Sequence, residues 1–538
     1  MNPNLEAIRI QGLPTWYKNQ TGAALDEMYS GFRVSQSEIV GWSLSRSEPY
    51  LLVNAPTGIG KTLAGGVYAA SLNGNFAYVV STRALQDQVN RDLGIPTLKG
   101  RDNFECLIGQ TTHGIDISAA KGKCTFNEWC SHSGSISPTG QEPDPIACDY
   151  YAQRIVAMEE RGKVTNYSML LTMQELKREN KTLVLDEAHR IESEVIRKNA
   201  IVLNRGLCMF YGVRTPSLTN DITVWASWAR KQRVRKANKY DTNAKHLQEI
   251  LISMGRMSRE PTNWMVDHRG TYTMFTPIYG TPFVLQDIFG HARFDVQKLI
   301  EGDTGRKGVT KVLMMSATLL APDLMEKTLG LPPGSYAYLD LDSPFPAANR
   351  PINYAPVMRM NATSMSTAEG RTPMQEAMDR LIDYYLLSGR KCGIIHAVSR
   401  KYRNAISAES RWKDIITNDI STHEQRAATN QASVLVADNI IDGWDGADNK
   451  CRFVLIPKVP FANLGDKHVA LRQQQDPRSY DYNALVSVVQ GVGRGVRHQH
   501  DTAESWILDA GWEQLYKRRG TWLPQSFLSA YHHGVELP

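Results

Sequence analysis

Residues 51–62 read Leu51-Leu-Val-Asn-Ala-Pro-Thr-Gly-Ile-Gly-Lys-Thr62. An apolar run, a turn carrying Gly58 and Gly60, and the start of a helix follow one another. Glycines at these two positions let the backbone curl so that its N–H groups converge on phosphate oxygens. Lys61 then reaches the β- and γ-phosphates, and the Thr62 hydroxyl meets Mg²⁺ at a helix N-terminus. Ala55 replaces the first glycine of the general pattern, and Pro56, Thr57 and Ile59 complete the loop. Residues 55–62 are therefore the candidate nucleotide-binding set.

The same kind of apolar run recurs along the chain. Leu51–Val53, Ala77–Val80, Leu183–Leu185, Val312–Met315, Gly393–His396, Val434–Ala437 and Phe453–Ile456 are short, lack alternation and are bounded by turn residues or helix-length stretches. Such runs suit strands buried on both faces of a parallel sheet, and the spacing predicts βα units. They group at about 50–190 with 310–320, and at about 390–510, so two α/β domains are expected. Met358–Thr372 is polar and reads as a loop.

The chain has 538 residues, 61 Lys plus Arg, 55 Asp plus Glu and a net charge of +6. At roughly 100–200 residues per domain, three or four domains are expected. Hydrophobic residues make up 42% and charged residues 22%, which excludes wholesale disorder. No apolar run approaches the ~20 residues of a membrane helix. The first residues, MNPNLEAIRI, lack the pattern of a signal peptide, so a cytoplasmic protein is expected. The mild positive charge permits a nucleic-acid partner without requiring one.

Two further elements bear on the loop at 55–62. Leu183-Val-Leu-Asp-Glu-Ala-His189 ends an apolar run on two carboxylates. Asp186 at a strand's end can hold Mg²⁺, and Glu187 can orient or deprotonate an attacking water. Gln490-Gly-Val-Gly-Arg-Gly-Val-Arg497 places Arg494 and Arg497 three apart, on one face if helical. Guanidinium groups reaching in from a second domain stabilise the charge of a transferring γ-phosphoryl group.

Four of the seven cysteines, Cys106, Cys124, Cys130 and Cys148, bunch with 17, 5 and 17 residues between them in a Gly/Ser-rich stretch. A Cys₄ zinc site and an iron–sulfur cluster both take four thiolates, so the spacing alone is met by either. Cys208, Cys392 and Cys451 are most simply core residues. A basic stretch within 229–240 carries Arg230, Lys231, Arg233, Arg235, Lys236 and Lys239. It suits either phosphate contact or a solvated face. Trp225, Trp228, Trp264 and Tyr272 nearby suit packing better than base stacking.

Taken in order, these blocks resemble the superfamily-two helicases, specifically the XPD/DinG-like branch that carries an iron–sulfur cluster. Phe32-Arg-Val-Ser-Gln36 is similar to the branch's adenine-contacting motif, with Gln36 as the contact. Val80-Ser-Thr-Arg-Ala-Leu-Gln86 resembles the motif touching the nucleic-acid backbone. Lys99-Gly-Arg-Asp-Asn-Phe-Glu-Cys106 and Thr165-Asn-Tyr167 resemble the segments flanking the cluster insert. Met315-Ser-Ala-Thr-Leu319, with Ser316 and Thr318, resembles the motif that couples hydrolysis to strand movement. Asp342-Ser-Pro-Phe345 and Asn349-Arg350 are similar to the start of the second motor domain. Ile441-Asp-Gly-Trp-Asp445 resembles the motif whose acid, here Asp445, faces the nucleotide.

The resemblance implies an α/β protein with two RecA-like parallel-sheet motor domains, the first holding an iron–sulfur insert and a mainly helical arch insert. Boundaries follow: motor domain 1 over 1–103, 164–195 and 276–321, cluster insert 104–163, arch 196–275, and motor domain 2 over 322–538. It implies a [4Fe–4S] cluster on Cys106, Cys124, Cys130 and Cys148, whose central Cys-x5-Cys is closer to DinG than to XPD. Catalysis would rest on Lys61, Asp186, Glu187, Gln490, Arg494 and Arg497, with ATP and Mg²⁺ as cofactors. The implied activity is that of a monomeric 5′→3′ DNA helicase on single-stranded DNA and forked or tailed duplexes. A translocase or remodelling ATPase that does not part duplexes shares these motifs. A nucleic-acid-binding protein with a structural zinc module and a degenerate motor is the alternative from another class.

Overall fold

The computed structural model describes residues 32–108, 118–119, 129–136, 140–143, 147–235, 241–280, 308–438, 444 and 446–538. Cys124, Lys236, Lys239 and Asp445 lie outside the described residues. Strands β1 (Tyr50–Asn54), β2 (Asn75–Val80), β3 (Gly162–Asn166) and β4 (Asn180–Asp186) come first, then β5 (Ile201–Asn204), β6 (Trp264–Arg269) and β7 (Tyr272–Pro277). After these come β8 (Lys311–Ser316), β9 (Tyr336–Asp340), β10 (Ile352–Met358), β11 (Cys392–His396) and β12 (Ile416–Thr417). The last are β13 (Ser433–Ala437), β14 (Phe453–Ile456), β15 (Glu504–Asp509) and β16 (Tyr531–His533).

Two wholly parallel sheets result, ordered β3-β2-β4-β8-β1-β9 and β12-β13-β11-β14-β15-β10-β16. Every apolar run expected to form a strand does so. The pleat explains why those runs do not alternate in polarity, since each face of the first sheet is covered. Leu51 and Val53 share a core with Ile39, Leu63 and Val67 of helices Val34–Leu44 and Lys61–Ser71. Tyr50 and Leu52, on the opposite face, belong to a core that continues into the second sheet through Ile394, Val454 and Ile456. Helix Ala368–Leu387 covers the far face of that second sheet with Met378, Leu381 and Tyr385.

Two expectations need correction. The first sheet does not end at 321, because β9 pairs with β1 in register, Tyr50 opposite Tyr336 and Asn54 opposite Asp340. Asn54 locks this edge: its Nδ2 donates to Asp340 Oδ1 (2.8 Å), and its Oδ1 accepts from Leu319 N (3.1 Å). The polar stretch after Met358 becomes helical at Ala368, where the Thr367 side chain caps the Gly370 N–H. The arch-like insert is mainly helical, as the resemblance implies, but it also holds a sheet. Strands β5, β7 and β6 make an antiparallel sheet beside helices Ile222–Lys231 and Thr242–Arg256. The signal was present in Tyr272–Pro277, whose residues alternate between outward and inward positions, after a tight turn at Gly270 with φ 54°.

The insert has a core of its own, built from Leu203, Trp225, Leu247, Met254 and Phe275. Trp225 is fully buried, its ring edge-on to Trp228 and Phe275 and its Nε1 donating to Thr219 O (2.8 Å). Trp264 is also buried, whereas Tyr272 is 46% exposed. Arg230, Lys231, Arg233 and Arg235 are exposed. Among the described residues no helix is long and apolar enough to cross a membrane. Trp225→Ala is expected to cost about 3–5 kcal/mol. Limited proteolysis of the full chain should then cut first within 205–263 while the motor sheets persist.

Candidate nucleotide site and adjoining cleft

β1 delivers the loop at 55–60 to helix Lys61–Ser71. Gly58 and Gly60 hold φ of 81° and 83°, the left-handed region that glycine enters freely. Gly58 is also fixed by space, since a Cβ there would lie 3.2 Å from the Arg497 carbonyl oxygen. Thr57 Oγ1 donates to Gly493 O (2.8 Å). The loop of the first domain thus rests directly on the arginine-bearing turn of the second. Gln36, buried beside the loop, donates from Nε2 to Gly60 O (3.2 Å) and accepts from Arg33 N (2.8 Å). Arg33 Nη1 in turn donates to Gly58 O (2.6 Å).

Lys61 Nζ donates to Ala55 O and Pro56 O, each at 3.0 Å. Burial lowers the pKa of its ammonium, and the charges of Glu187 and Asp186 oppose that shift. Thr62 is the second residue of the same helix. β4 brings Asp186 and Glu187 to its C-terminal end. Burial, then the neighbouring Glu187, raises the Asp186 pKa, while Lys61, the Glu187 N–H and Tyr78 act against the rise. Tyr78 donates its hydroxyl to Asp186 Oδ2 (3.3 Å), and Tyr167 donates to the Asp186 carbonyl (2.9 Å). Burial also pushes Glu187 upward, but His189, Lys61 and Arg494 outweigh it and hold this carboxyl below its ordinary value. Glu187 has φ 51°, a strained conformation for a residue with a Cβ, and its N–H is held by Asp186 Oδ1 (2.9 Å).

A chain of hydrogen bonds reaches Glu187 from the second domain. Gln490 Nε2 lies 2.8 Å from His189 Nε2, His189 Nδ1 lies 2.8 Å from Ser316 Oγ, and Ser316 Oγ donates to Glu187 Oε2 (3.4 Å). Thr318 braces the middle, 3.2 Å from Ser316 Oγ and accepting from Gln490 at 3.3 Å. Arg494 and Arg497 are not helical, contrary to their spacing. Helix Pro477–Val492 stops before them, and Gly493, its cap, accepts from Arg497 Nη1 (3.0 Å). Both still face the site, Arg494 acting on the charge of Glu187 and Arg497 on that of Lys61. Asp445 lies outside the described residues. Sequence reading gave no role to Arg33, Tyr78 or His189. For Tyr78 the one available signal was a phenol inside a buried strand.

Comparison with known proteins agrees with this geometry. Residues 24–206 match the family described as type III restriction enzyme, res subunit, and residues 393–528 match the helicase C-terminal domain. These matches support the resemblance to the XPD/DinG-like superfamily-two helicases. A protein named "Probable ATP-dependent helicase" from Methanocaldococcus jannaschii is 26% identical over 29% of this chain. The regulator of telomere elongation helicase 1 homolog of Drosophila mojavensis is 27% identical over 20% of it. The matched segments span 27% and 12% of these two relatives. A solved structure titled XPD helicase superposes with a TM-score of 0.59 at 15% identity, covering 94% of this chain and 100% of that one.

A cleft of about 1600 Å³ adjoins the nucleotide site. His189 and Gln490 form part of its wall, so the hydrogen-bond chain runs from cleft to carboxylates. Arg359, Lys458, Arg472 and Arg518 line it together with Phe461 and Tyr480, whose rings stack at 5.2 Å. The arch-like insert closes over one side: Lys467 pairs with Asp267 (3.0 Å), and His468 Nε2 donates to Pro277 O (3.0 Å). Beneath them Arg472 pairs with Glu192 (2.9 Å) and lies over the Tyr279 ring.

The cysteine segments also meet. Cys106, Cys130 and Cys148 are buried, and the described cysteines form no disulfide with one another. Cys148 N donates to His132 O (3.1 Å), and Cys148 packs in one small core with Phe104 and Leu107, which flank Cys106. Three buried thiols on adjoining segments have the donor chemistry of a thiolate-bound metal group. Cys124 lies outside the described residues.

His396 ends β11 at the cleft wall, against Gly491. Burial, then Arg494, lowers its imidazole pKa to about 4, with the Gly491 backbone opposing. From about pH 6.5 downward the unfolded chain takes up a proton that the folded imidazole refuses, so stability falls towards acid. His396→Gln should narrow the difference in melting temperature between about pH 7 and about pH 5.

Proposed function

We propose that the chain is an ATP-driven helicase that moves 5′→3′ along single-stranded DNA and parts tailed or forked duplexes. The observation that carries this reading is the chain Gln490–His189–Ser316–Glu187. It joins the wall of a basic, aromatic cleft to the carboxylate best placed to act on water. A strand held in the cleft by arginines and stacked rings would bear on Gln490, and through it on the orientation of Glu187.

Hydrolysis follows from the same residues. Lys61 exchanges its two loop carbonyls for phosphate oxygens, a favourable step for a half-buried cation held by two neutral acceptors. The Asp186 carboxylate and the Thr62 hydroxyl fit Mg²⁺, which would neutralise phosphate charge. Glu187, kept ionised by His189, Lys61 and Arg494, orients the attacking water and accepts its proton. Arg494 and Arg497 offset the charge on the γ-phosphoryl oxygens. Gln36, already against Gly60, is placed to read the base, with Asp445 assigned the facing acid by motif. Cys106, Cys124, Cys130 and Cys148 would hold a [4Fe–4S] cluster, which would cross-link the insert beside the first motor domain.

The gathering of Lys61, Asp186, Glu187, Arg494 and Arg497 around one site argues against a degenerate motor. Lys61→Ala should lower DNA-stimulated ATP hydrolysis by roughly 100-fold or more. Full activity in that variant would sink the assignment. A 5′-tailed duplex should be unwound and a 3′-tailed one left intact. ATP consumption without strand separation on either would favour the translocase reading. Anaerobically purified protein should contain iron and acid-labile sulfide, whereas one zinc per chain and no sulfide would overturn the cluster.

A further inference from the structure

Behind the arginine turn, Asp448, His498 and Asp501 bring their ligand atoms within 4.8 Å of one another. The arrangement resembles a cation site, but the hydrogen bonds point elsewhere. Asp501 is fully buried, and both of its oxygens are in use. Oδ1 accepts from Arg452 Nη1 (3.0 Å) and Thr502 N (2.9 Å), while Oδ2 accepts from Arg497 N (3.1 Å) and Asp448 N (3.3 Å). Four N–H donors, one of them charged, satisfy a buried carboxylate without a metal.

We infer that Asp501 is the positioning residue for the Arg497 guanidinium, and hence for its action on the γ-phosphoryl group; this rests on the nucleotide-site reading above. Arg497 lies beyond the helix that ends at Val492, so no helical ladder holds its backbone. Asp501 supplies the missing constraint. It ties the Arg497 N–H to the start of β14 through Arg452, and to the turn at Asp448 that closely follows Asp445 in sequence. The Asp501 N–H closes the loop by donating to His498 O (3.0 Å). On the exposed rim His498 Nε2 lies 2.9 Å from Asp448 Oδ1, a second tie between the same segments. Gly495 lets the turn sit flat, since a Cβ there would lie 2.1 Å from that of Ala503. The platform is therefore continuous from β14 to the arginine that faces Lys61. Movement of the Arg497 N–H by a fraction of an ångström would be carried to its guanidinium.

The test is steady-state ATP hydrolysis by the full chain at saturating single-stranded DNA. Asp501→Asn keeps size but loses the charge and places an amide NH₂ against donors. It should lower kcat by roughly 10- to 100-fold while KM for ATP shifts less than about threefold. Affinity for ADP with aluminium fluoride should fall in step with kcat. Adding Asp501→Asn to Arg497→Ala should produce no further loss, since Asp501 acts through that side chain. If Asp501→Asn does not fold, His498→Ala on the rim replaces it in the same cycle, with a smaller loss confined to kcat. Wild-type kcat in the folded variant, a loss confined to KM, or losses that multiply with Arg497→Ala would overturn the inference. An Arg497→Ala chain with full activity would instead overturn the reading of the site.

Discussion

Two carboxylates, Asp186 and Glu187, lie half-buried side by side at the end of one strand, and much of the molecule is arranged around that cost. Paired acids in a low-dielectric setting repel each other and lose hydration, so they persist ionised only beside compensating charge and donors. Lys61 and Tyr78 provide part of this from the first domain. His189 adds to it from the same domain, and Arg494 from the second. The charge balance of the site is therefore complete only when the two sheets are in contact.

The contact is not merely electrostatic. The core beneath Tyr50 and Leu52 runs on into Ile394, Val454 and Ile456, so apolar burial joins the domains on one face of the first sheet. The opposite face is closed by its own helices. A joint that is apolar below and charged at the rim, with Thr57 bonded to Gly493 across it, suits a hinge that flexes at the nucleotide while staying attached.

The arch-like insert adds a third body with an independent core around Trp225. It touches the second motor domain through Asp267 and Pro277, which meet Lys467 and His468. The cleft is thereby bounded by three units. The wall residues His189 and Gln490 connect the cleft to Glu187.

Much of this was legible in the residues alone. The runs around Leu51, Leu183 and Val312 announce buried parallel strands because a chain covered on both faces must be apolar throughout. Gly58, Gly60, Lys61 and the Asp186–Glu187 pair announce a phosphate site because few other residue types do that chemistry at that spacing. The edge strand Tyr336–Asp340 was not legible, since its polar ends match a surface segment until Asn54 is seen bonded to Asp340. Nor was the non-helical turn at Arg494 and Arg497, where spacing three apart fits a helix but contacts with the loop at 55–60 and with Asp501 impose another path. Sequence by itself determined which side chains could bind phosphate, act on water or hold metal, because those are properties of individual groups and near neighbours. Tertiary structure alone decided that His189, Ser316 and Gln490, distant in the chain, form one path to Glu187, and that Asp501 supports Arg497. Hydrogen bonds between remote segments depend on the packing of whole sheets and leave no local trace.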